Sequence, residues 1–131
     1  MATLTVQLDS PIPISEQIVS GLRRAIAIGE LQPNDELPPV RQLAADLGVN
    51  LNTVARAYRT LEGSGLVSTV RGRGTRITSS TEKKMTSKSA STTRVKERMT
   101  IAVVDAKLAG MSQDALNKVF HDVISSFFKA T

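Results

Sequence analysis

Apolar residues in the first half of the chain recur every three or four positions, which is the spacing of amphipathic helices. The first helix is predicted to begin after Pro13 and to end at Gly29; its apolar positions are Ile14, Ile18, Leu22, Ala25 and Ile26. A turn-rich connection over residues 30–38 leads to a short second helix. Pro39 is predicted as the first residue of that helix, because its missing N–H would have no partner there. The second helix ends at Gly48, and its apolar face comprises Val40, Leu43, Ala44 and Leu47.

Only three residues separate the second helix from a third, whose buried stripe comprises Val54, Tyr58 and Leu61. Asn50 is a suitable N-cap for this helix, and the Gly-Ser-Gly sequence at 63–65 ends it. Two β-rich runs follow at 66–70 and 75–78, joined by Arg-Gly-Arg-Gly, and they predict a β-hairpin with two glycines at its tip. The predicted order is therefore helix, helix, tight turn, helix, hairpin.

The pattern changes after the hairpin. Residues 79–94 are rich in Ser, Thr and Lys and predict a polar, basic linker or the start of a helix. A heptad-like seam of mostly small residues follows: Val95, Met99, Ala102, Ala106 and Ala109. Gly110 breaks this helix, and Ser112 can cap the last one, whose apolar face comprises Ala115, Leu116, Val119, Phe120, Val123, Ile124, Phe127 and Phe128.

Two helices cannot bury that much apolar surface by themselves, so a partner is expected. The partner is either the first domain or, as we favour, a second copy of the chain. The predicted dimerisation residues are Val95, Met99, Ala102, Ala106, Leu116, Val119, Phe120, Val123 and Phe127.

Composition narrows the function. The 131 residues include no Cys and a single His, His121, which excludes disulfides and Cys nucleophiles and leaves little for metal ligation or general-base catalysis. The formal net charge of +5 suggests a polyanionic partner. No apolar run approaches the ~20 residues that span a bilayer, and no signal pattern opens the chain. We therefore predict a cytoplasmic protein with no membrane partner, no metal site, no cofactor and no catalytic residues.

Two helices joined by a three-residue turn form a helix-turn-helix unit, which places its second helix in the major groove of DNA. With the buried stripe facing inward, Asn52, Thr53 and Arg56 share the opposite side of that helix. Asn can bond adenine, Arg can bond guanine, and Thr offers a hydroxyl or a methyl group. Arg59 and Arg41 are better placed for the DNA backbone. The alternative is that these are solvated polar residues on an amphipathic helix, an interpretation that the set as a whole disfavours.

The hairpin tip adds Arg71, Gly72 and Arg73 to the candidate DNA-binding residues. Glycine lets the backbone approach another molecule closely, and guanidinium groups suit a narrow minor groove or paired phosphates. An ordinary glycine turn with solubilising arginines is the alternative.

A family resemblance is carried by the sequence GELQPNDELPPVRQLAADLGVNLNTVARAYRTLEGSGLV, which begins at Gly29, and by the following RGRGT. Over roughly residues 11–78 the chain resembles the winged helix-turn-helix domain of GntR-family bacterial transcription regulators. The resemblance implies that the family's DNA contacts fall on Arg41, Asn52, Thr53, Arg56, Arg71 and Gly72. Pro39 and Ser15 depart from the family, which commonly has Ser and Tyr there. Leu51 and Ala55 stand where some subfamilies have Arg, which implies a different sequence preference.

The 53 residues after position 78 are enough for two helices and resemble the short tail of the YtrA subfamily, which is implied to dimerise the protein. The predicted fold is mostly α with a small β-wing: a winged helix-turn-helix domain at 1–78, a linker at 79–94 and a two-helix dimerisation hairpin at 95–131. The implied function is that of a homodimeric repressor of nearby genes. It would bind an inverted-repeat operator in double-stranded DNA, at the bacterial nucleoid, with any small-molecule effector left open.

Two other classes of function stay open at this point. A non-specific, architectural DNA-binding protein could use the basic residues over 83–98 as an electrostatic strap. An enzyme would have to use His121 with Asp122 and Asp114, and a metal or anion effector would also need His121. A lone His on an apolar helix is more often a packing or interface residue, so the pattern favours DNA binding.

Overall fold

The computed structural model describes residues 4–79 and 88–128. The chain divides into two units, Met1–Lys84 and Met85–Thr131. The elements of the first unit are α1 (Ile14–Ala27), α2 (Val40–Leu47), α3 (Leu51–Gly63), β1 (Val67–Val70) and β2 (Gly74–Ile77). The elements of the second are α4 (Lys88–Leu108) and α5 (Gln113–Phe127).

The core of the N-terminal unit lies where α1 and α2 both pack against α3. The apolar stripes read from the sequence converge here, because each helix can remove its apolar face from water only against another element. The connection before α2 contributes Leu31 and Leu37, and the hairpin contributes Val67 and Ile77. The largest fully buried side chains are Ile18, Leu22, Val54, Leu61, Val67 and Ile77. Complete burial of such a side chain stabilises the fold by about 1.5–3 kcal/mol.

The turn between α2 and α3 is set by two local signals. Gly48 ends α2 in the left-handed conformation, with φ +69°, which side chains other than glycine rarely adopt. Asn50 begins α3 as its N-cap, since its Oδ1 accepts the backbone N–H of Asn52 at 2.7 Å. The predicted three-residue turn is confirmed, and it orients α3 relative to α2.

Helix α2 begins one residue later than predicted. Pro39 is its N-cap rather than its first helical residue, with an extended ψ of 150°. The Pro39 carbonyl already accepts the N–H of Leu43 at 3.0 Å, so the residue takes part in the first turn without adopting helical torsions.

β1 and β2 form an antiparallel hairpin in which Val67 pairs with Ile77 and Val70 pairs with Gly74. The tip is closed by the N–H of Arg73, which donates to the carbonyl of Val70 at 2.8 Å. Gly72 occupies the turn position that requires a positive φ, and its φ is +83°. The loop therefore has three residues rather than the predicted four, because Gly74 continues the ladder.

A third segment runs along the outer edge of β2. The N–H of Leu37 donates to the carbonyl of Thr75 at 2.8 Å, and the N–H of Ile77 donates to the carbonyl of Asp35 at 2.9 Å. Glu36 and Arg76 form an antiparallel bridge between these bonds. The sequence predicted only a turn-rich connection here, and the structure shows that this connection anchors the wing to the entry of α2.

The C-terminal unit contains the two predicted helices. Gly110, with φ +81°, ends the first, and the Ser112 hydroxyl accepts the N–H of Ala115 at 3.1 Å to cap the second. α4 already includes residues 88–94 of the predicted linker or helix start, whereas residues 80–87 lie outside the described part of the chain. The backbones of α4 and α5 come close at few positions, so the helices do not cover each other along their lengths.

Together these elements confirm the predicted fold class, a winged helix-turn-helix with helices C-terminal to it. The predicted domain limits at residues 78 and 94 stay predictions.

Candidate nucleic-acid interface

The outward side of α3 carries the polar residues that the sequence singled out. Val54, Ala57, Tyr58 and Leu61 are buried on one side of this helix. Asn52, Arg56 and Arg59 are exposed on the other side, in a row with four-residue and three-residue spacing. An amide followed by two guanidinium groups can bond base edges and phosphates.

Two predicted members of the site lie beside this row. Thr53 is half-buried, because it stands at the border between the outward side of α3 and the core. Arg41 lies in the first turn of α2 and is exposed. The accessible residues are therefore Arg41, Asn52, Arg56 and Arg59. Thr53 is less exposed than the sequence predicts.

Tyr58 links α3 to the segment that leads into α2. Its side chain is buried, and its hydroxyl donates a hydrogen bond to the carbonyl of Pro38 at 2.7 Å, just before α2 begins. Burial raises the pKa of Tyr58 to about 12, because the charged phenolate would lose its solvation. Sequence reasoning assigned Tyr58 only to the apolar stripe. The available signal was that a buried Tyr usually places its hydroxyl against a partner.

The wing presents its charged residues at the tip. Arg71, Gly72 and Arg73 are exposed, and the turn that carries them is fixed by the Arg73–Val70 hydrogen bond. Below the tip, the hydroxyls of Thr69 and Thr75 lie 3.0 Å apart, and Thr69 donates to the Glu62 carboxylate at 2.9 Å. These bonds tie the hairpin to the end of α3, so the tip has a defined position within the unit.

The C-terminal unit exposes most of the residues predicted to dimerise. Exposed residues are Val95, Met99, Ala102, Val119 and Val123; half-buried residues are Leu116, Phe120 and Phe127. Ala106 is the exception, being 7% exposed and so already covered within the chain. An uncovered apolar surface of this extent is characteristic of a protein–protein interface.

Sequence reasoning missed a second apolar strip on α4. Ile101, Val104 and Leu108 are spaced by three and four residues and lie opposite the predicted seam, at 100° per residue. All three are exposed, and Leu108 is 83% exposed. The spacing of three and four residues is visible in the sequence on the face opposite the seam.

The residues behind the enzyme hypothesis do not form a pocket. His121, Asp122 and Asp114 are all exposed on α5. In residues 4–79 and 88–128, no group of three or more His, Cys, Asp or Glu side chains is placed to hold a metal ion. Nor is any helix in these ranges both long and apolar enough to cross a membrane.

Comparison with known proteins agrees with this geometry. The model of the GntR family of bacterial regulatory proteins matches residues 14–77. The HTH-type transcriptional repressor YtrA of Bacillus subtilis is 37% identical over 120 residues, which are 90% of this chain and 91% of that protein.

Two solved structures extend the comparison. The crystal structure of a transcriptional antiterminator from Listeria monocytogenes has a TM-score of 0.85 at 28% identity, covering 98% of this chain and 95% of that one. The DNA-binding domain of AraR, in complex with operator ORX1, has a TM-score of 0.53 at 26% identity, covering 59% of this chain and 99% of that one.

The fold and the exposed arginines of α3 and the wing thus define a winged helix-turn-helix transcription regulator that binds DNA. The chain belongs to the GntR family, and over nearly its whole length it is similar to YtrA.

Proposed function

We propose that this protein is a homodimeric transcriptional repressor that recognises an inverted-repeat operator. In this proposal α3 contacts the bases, the wing makes additional contacts with the DNA, and the C-terminal helices form the dimer. The observation that supports the proposal is that one chain has two distinct exposed surfaces. One is the polar, arginine-bearing outward side of α3, and the other is the uncovered apolar surface of α4 and α5.

Base reading is assigned to the N-terminal part of α3. Asn52 stands one turn before Arg56, so their side chains project from neighbouring points on the outward side. Asn52 suits adenine and Arg56 suits guanine, while Thr53 contributes from the edge of the row. Arg59 and Arg41 are assigned to phosphates, which position the helix without reading sequence.

Backbone or minor-groove contact is assigned to the wing. The exposed arginines Arg71 and Arg73 flank Gly72, whose missing side chain leaves the backbone free to approach DNA. Support for an operator complex comes from the AraR DNA-binding domain, which has been solved on its operator.

Dimerisation is assigned to the C-terminal unit because most of its large apolar side chains over residues 88–128 are exposed. A second copy supplies an identical apolar surface, and a two-fold axis pairs each face with itself. The seam that begins at Val95 and the strip at Ile101, Val104 and Leu108 give α4 two faces to cover. α5 and the partner's helices together can cover both.

Repression is proposed from the likeness to YtrA, which is named as a repressor. A dimer with two recognition helices calls for half-sites about 10 bp apart or a multiple of that spacing. The protein would act in the cytoplasm, at the nucleoid, as a binding protein rather than an enzyme. No effector is assigned.

The decisive experiment selects bound DNA from a random pool and then measures affinity for the selected operator and for random DNA over a range of salt concentrations. Replacing Asn52, Thr53 or Arg56 with Ala should cost ~1–3 kcal/mol on the operator and little on random DNA. Arg71→Ala and Arg73→Ala should weaken binding to both DNAs and lower the salt slope by about one per lost phosphate contact.

Arg23→Ala is the matched control, since it removes an exposed arginine from α1, outside the proposed interface. It should leave both affinities nearly unchanged. Equal losses on operator and random DNA for the α3 variants would identify a non-specific, architectural DNA-binding protein instead.

A further inference from the structure

We propose that Leu51 recognises the 5-methyl group of a thymine in the major groove and so makes the protein selective for thymine at one position of each half-site. The proposal rests on the proposed function, because it requires α3 to enter the major groove. It assigns sequence selectivity to an apolar residue, beside the polar residues that bond base edges.

Leu51 is the first residue of α3 and is 42% exposed. It precedes Val54 by three positions, so helical spacing would extend the buried stripe to it. Val54 is 0% exposed, however, and the core does not extend over Leu51. Within α2 and α3, Leu51 is the one large apolar side chain that remains exposed.

The cap of α3 fixes where this side chain stands. Asn50 Oδ1 accepts the N–H of Asn52 at 2.7 Å, and the N–H of Thr53 donates to the Asn50 carbonyl at 3.1 Å. Leu51 lies between these anchored positions, at the end of the helix that meets base edges in helix-turn-helix proteins. Ala55 follows one turn later and is half-buried. Leu51 and Ala55 therefore form an apolar edge beside the polar row.

The major groove offers one apolar group, the C5-methyl of thymine, and apolar side chains recognise it by contact. The other groups that distinguish the bases there are hydrogen-bond donors and acceptors, which a leucine would desolvate without compensation. Adenine, which suits Asn52, is paired with thymine. A leucine and an asparagine side by side thus match A·T base pairs, the same pair or adjoining ones.

The test replaces each thymine of one half-site of the selected operator with uracil, which lacks only the 5-methyl group. For the wild-type protein we expect one uracil substitution to weaken binding about fourfold, the loss equivalent to exposing one buried methyl group. Leu51→Ala should bind the thymine and uracil operators equally. Leu51→Met should keep the preference, because methionine retains apolar reach.

Leu51→Gln provides a second variant without apolar contact and with good helix propensity, and it too should lose the preference. Thermal unfolding of each variant shows whether the fold is intact. Uracil sensitivity that is equal in wild type and Leu51→Ala would overturn the proposal, as would an operator in which no thymine is sensitive.

The two proposals fail in different ways. If selection returns no operator, or the Asn52 and Arg56 variants lose equally on random DNA, the proposed function fails and this inference with it. If those variants behave as expected while the methyl effect is absent or independent of Leu51, this inference alone is wrong.

Discussion

The two units of this chain use apolar residues in opposite ways. The N-terminal unit closes thirteen apolar side chains into a core in which three helices and a hairpin converge. The C-terminal unit, over residues 88–128, buries Ala106 and leaves eleven large apolar side chains exposed. Both units have helices that carry rows of apolar residues, so the presence of such rows does not separate them. The difference is whether the chain itself supplies the elements that cover each apolar face.

A unit that covers its own apolar faces can fold alone, whereas one that leaves them exposed gains stability from a partner that covers them. The N-terminal unit has Leu31 and Leu37 from a connection and Val67 and Ile77 from the hairpin to complete its core. Over residues 88–128, the C-terminal unit contributes α4 and α5 alone, and their backbones come close at few positions. We therefore propose that the N-terminal DNA-binding unit is complete by itself and that dimerisation completes the C-terminal unit.

The largest expected effect is the loss of operator affinity when the proposed dimer is disrupted. Phe120→Asp places a carboxylate in the proposed dimer interface, where an unpaired buried charge is costly. We expect a monomer by sedimentation and a loss of about 10²–10⁴ in operator affinity, because linked half-site binding is lost. Ser125→Asp adds the same charge to the opposite face of α5 and should remain dimeric. A Phe120→Asp protein that stays dimeric with full affinity would contradict the assignment.

A second prediction compares the same truncation in the two units, in the monomeric Phe120→Asp background. Leu61→Ala removes a fully buried side chain and should lower the free energy of unfolding by about 2–5 kcal/mol. Leu108→Ala removes one that is 83% exposed and should change it by less than about 0.5 kcal/mol. Chemical denaturation measures both. A similar cost for both variants would show that α4 is packed within the monomer.

The third prediction concerns the one tyrosine, which belongs to the closed unit. Its pKa is raised from 10.0 to about 12 by burial, so the folded state favours the neutral phenol. The associated stability is fully present below pH 10 and is lost as the pH rises from 10 to 12. The complete loss should be ~3 kcal/mol, which is about two pKa units at 1.36 kcal/mol per unit.

Tyrosinate absorbance follows this titration directly, because the chain has no Trp and no other Tyr. Tyr58→Phe should remove this part of the pH dependence while costing ~1 kcal/mol at neutral pH, as the Pro38 carbonyl loses its donor. A tyrosinate transition near pH 10 in the folded protein would contradict the raised pKa.

Local sequence signals, such as helix caps and turn residues, predict the N-terminal unit well. Gly48 and Asn50 mark the turn between α2 and α3 because a left-handed cap and an Asn N-cap depend on residues only a few positions apart. Non-local features were missed. The pairing of residues 35–37 with β2 joins segments about forty positions apart, and the half-burial of Thr53 depends on its tertiary surroundings. The strip at Ile101, Val104 and Leu108 was missed although its spacing was visible.

The segment that runs along β2 also limits how this protein can aggregate. A two-stranded hairpin standing alone leaves open backbone edges that can pair with another chain. Here the N–H of Leu37 and the carbonyl of Asp35 occupy backbone groups on the outer edge of β2. That stretch of β2 is therefore not available to pair with a strand from another molecule. This removes one site at which intermolecular β-sheet formation could start.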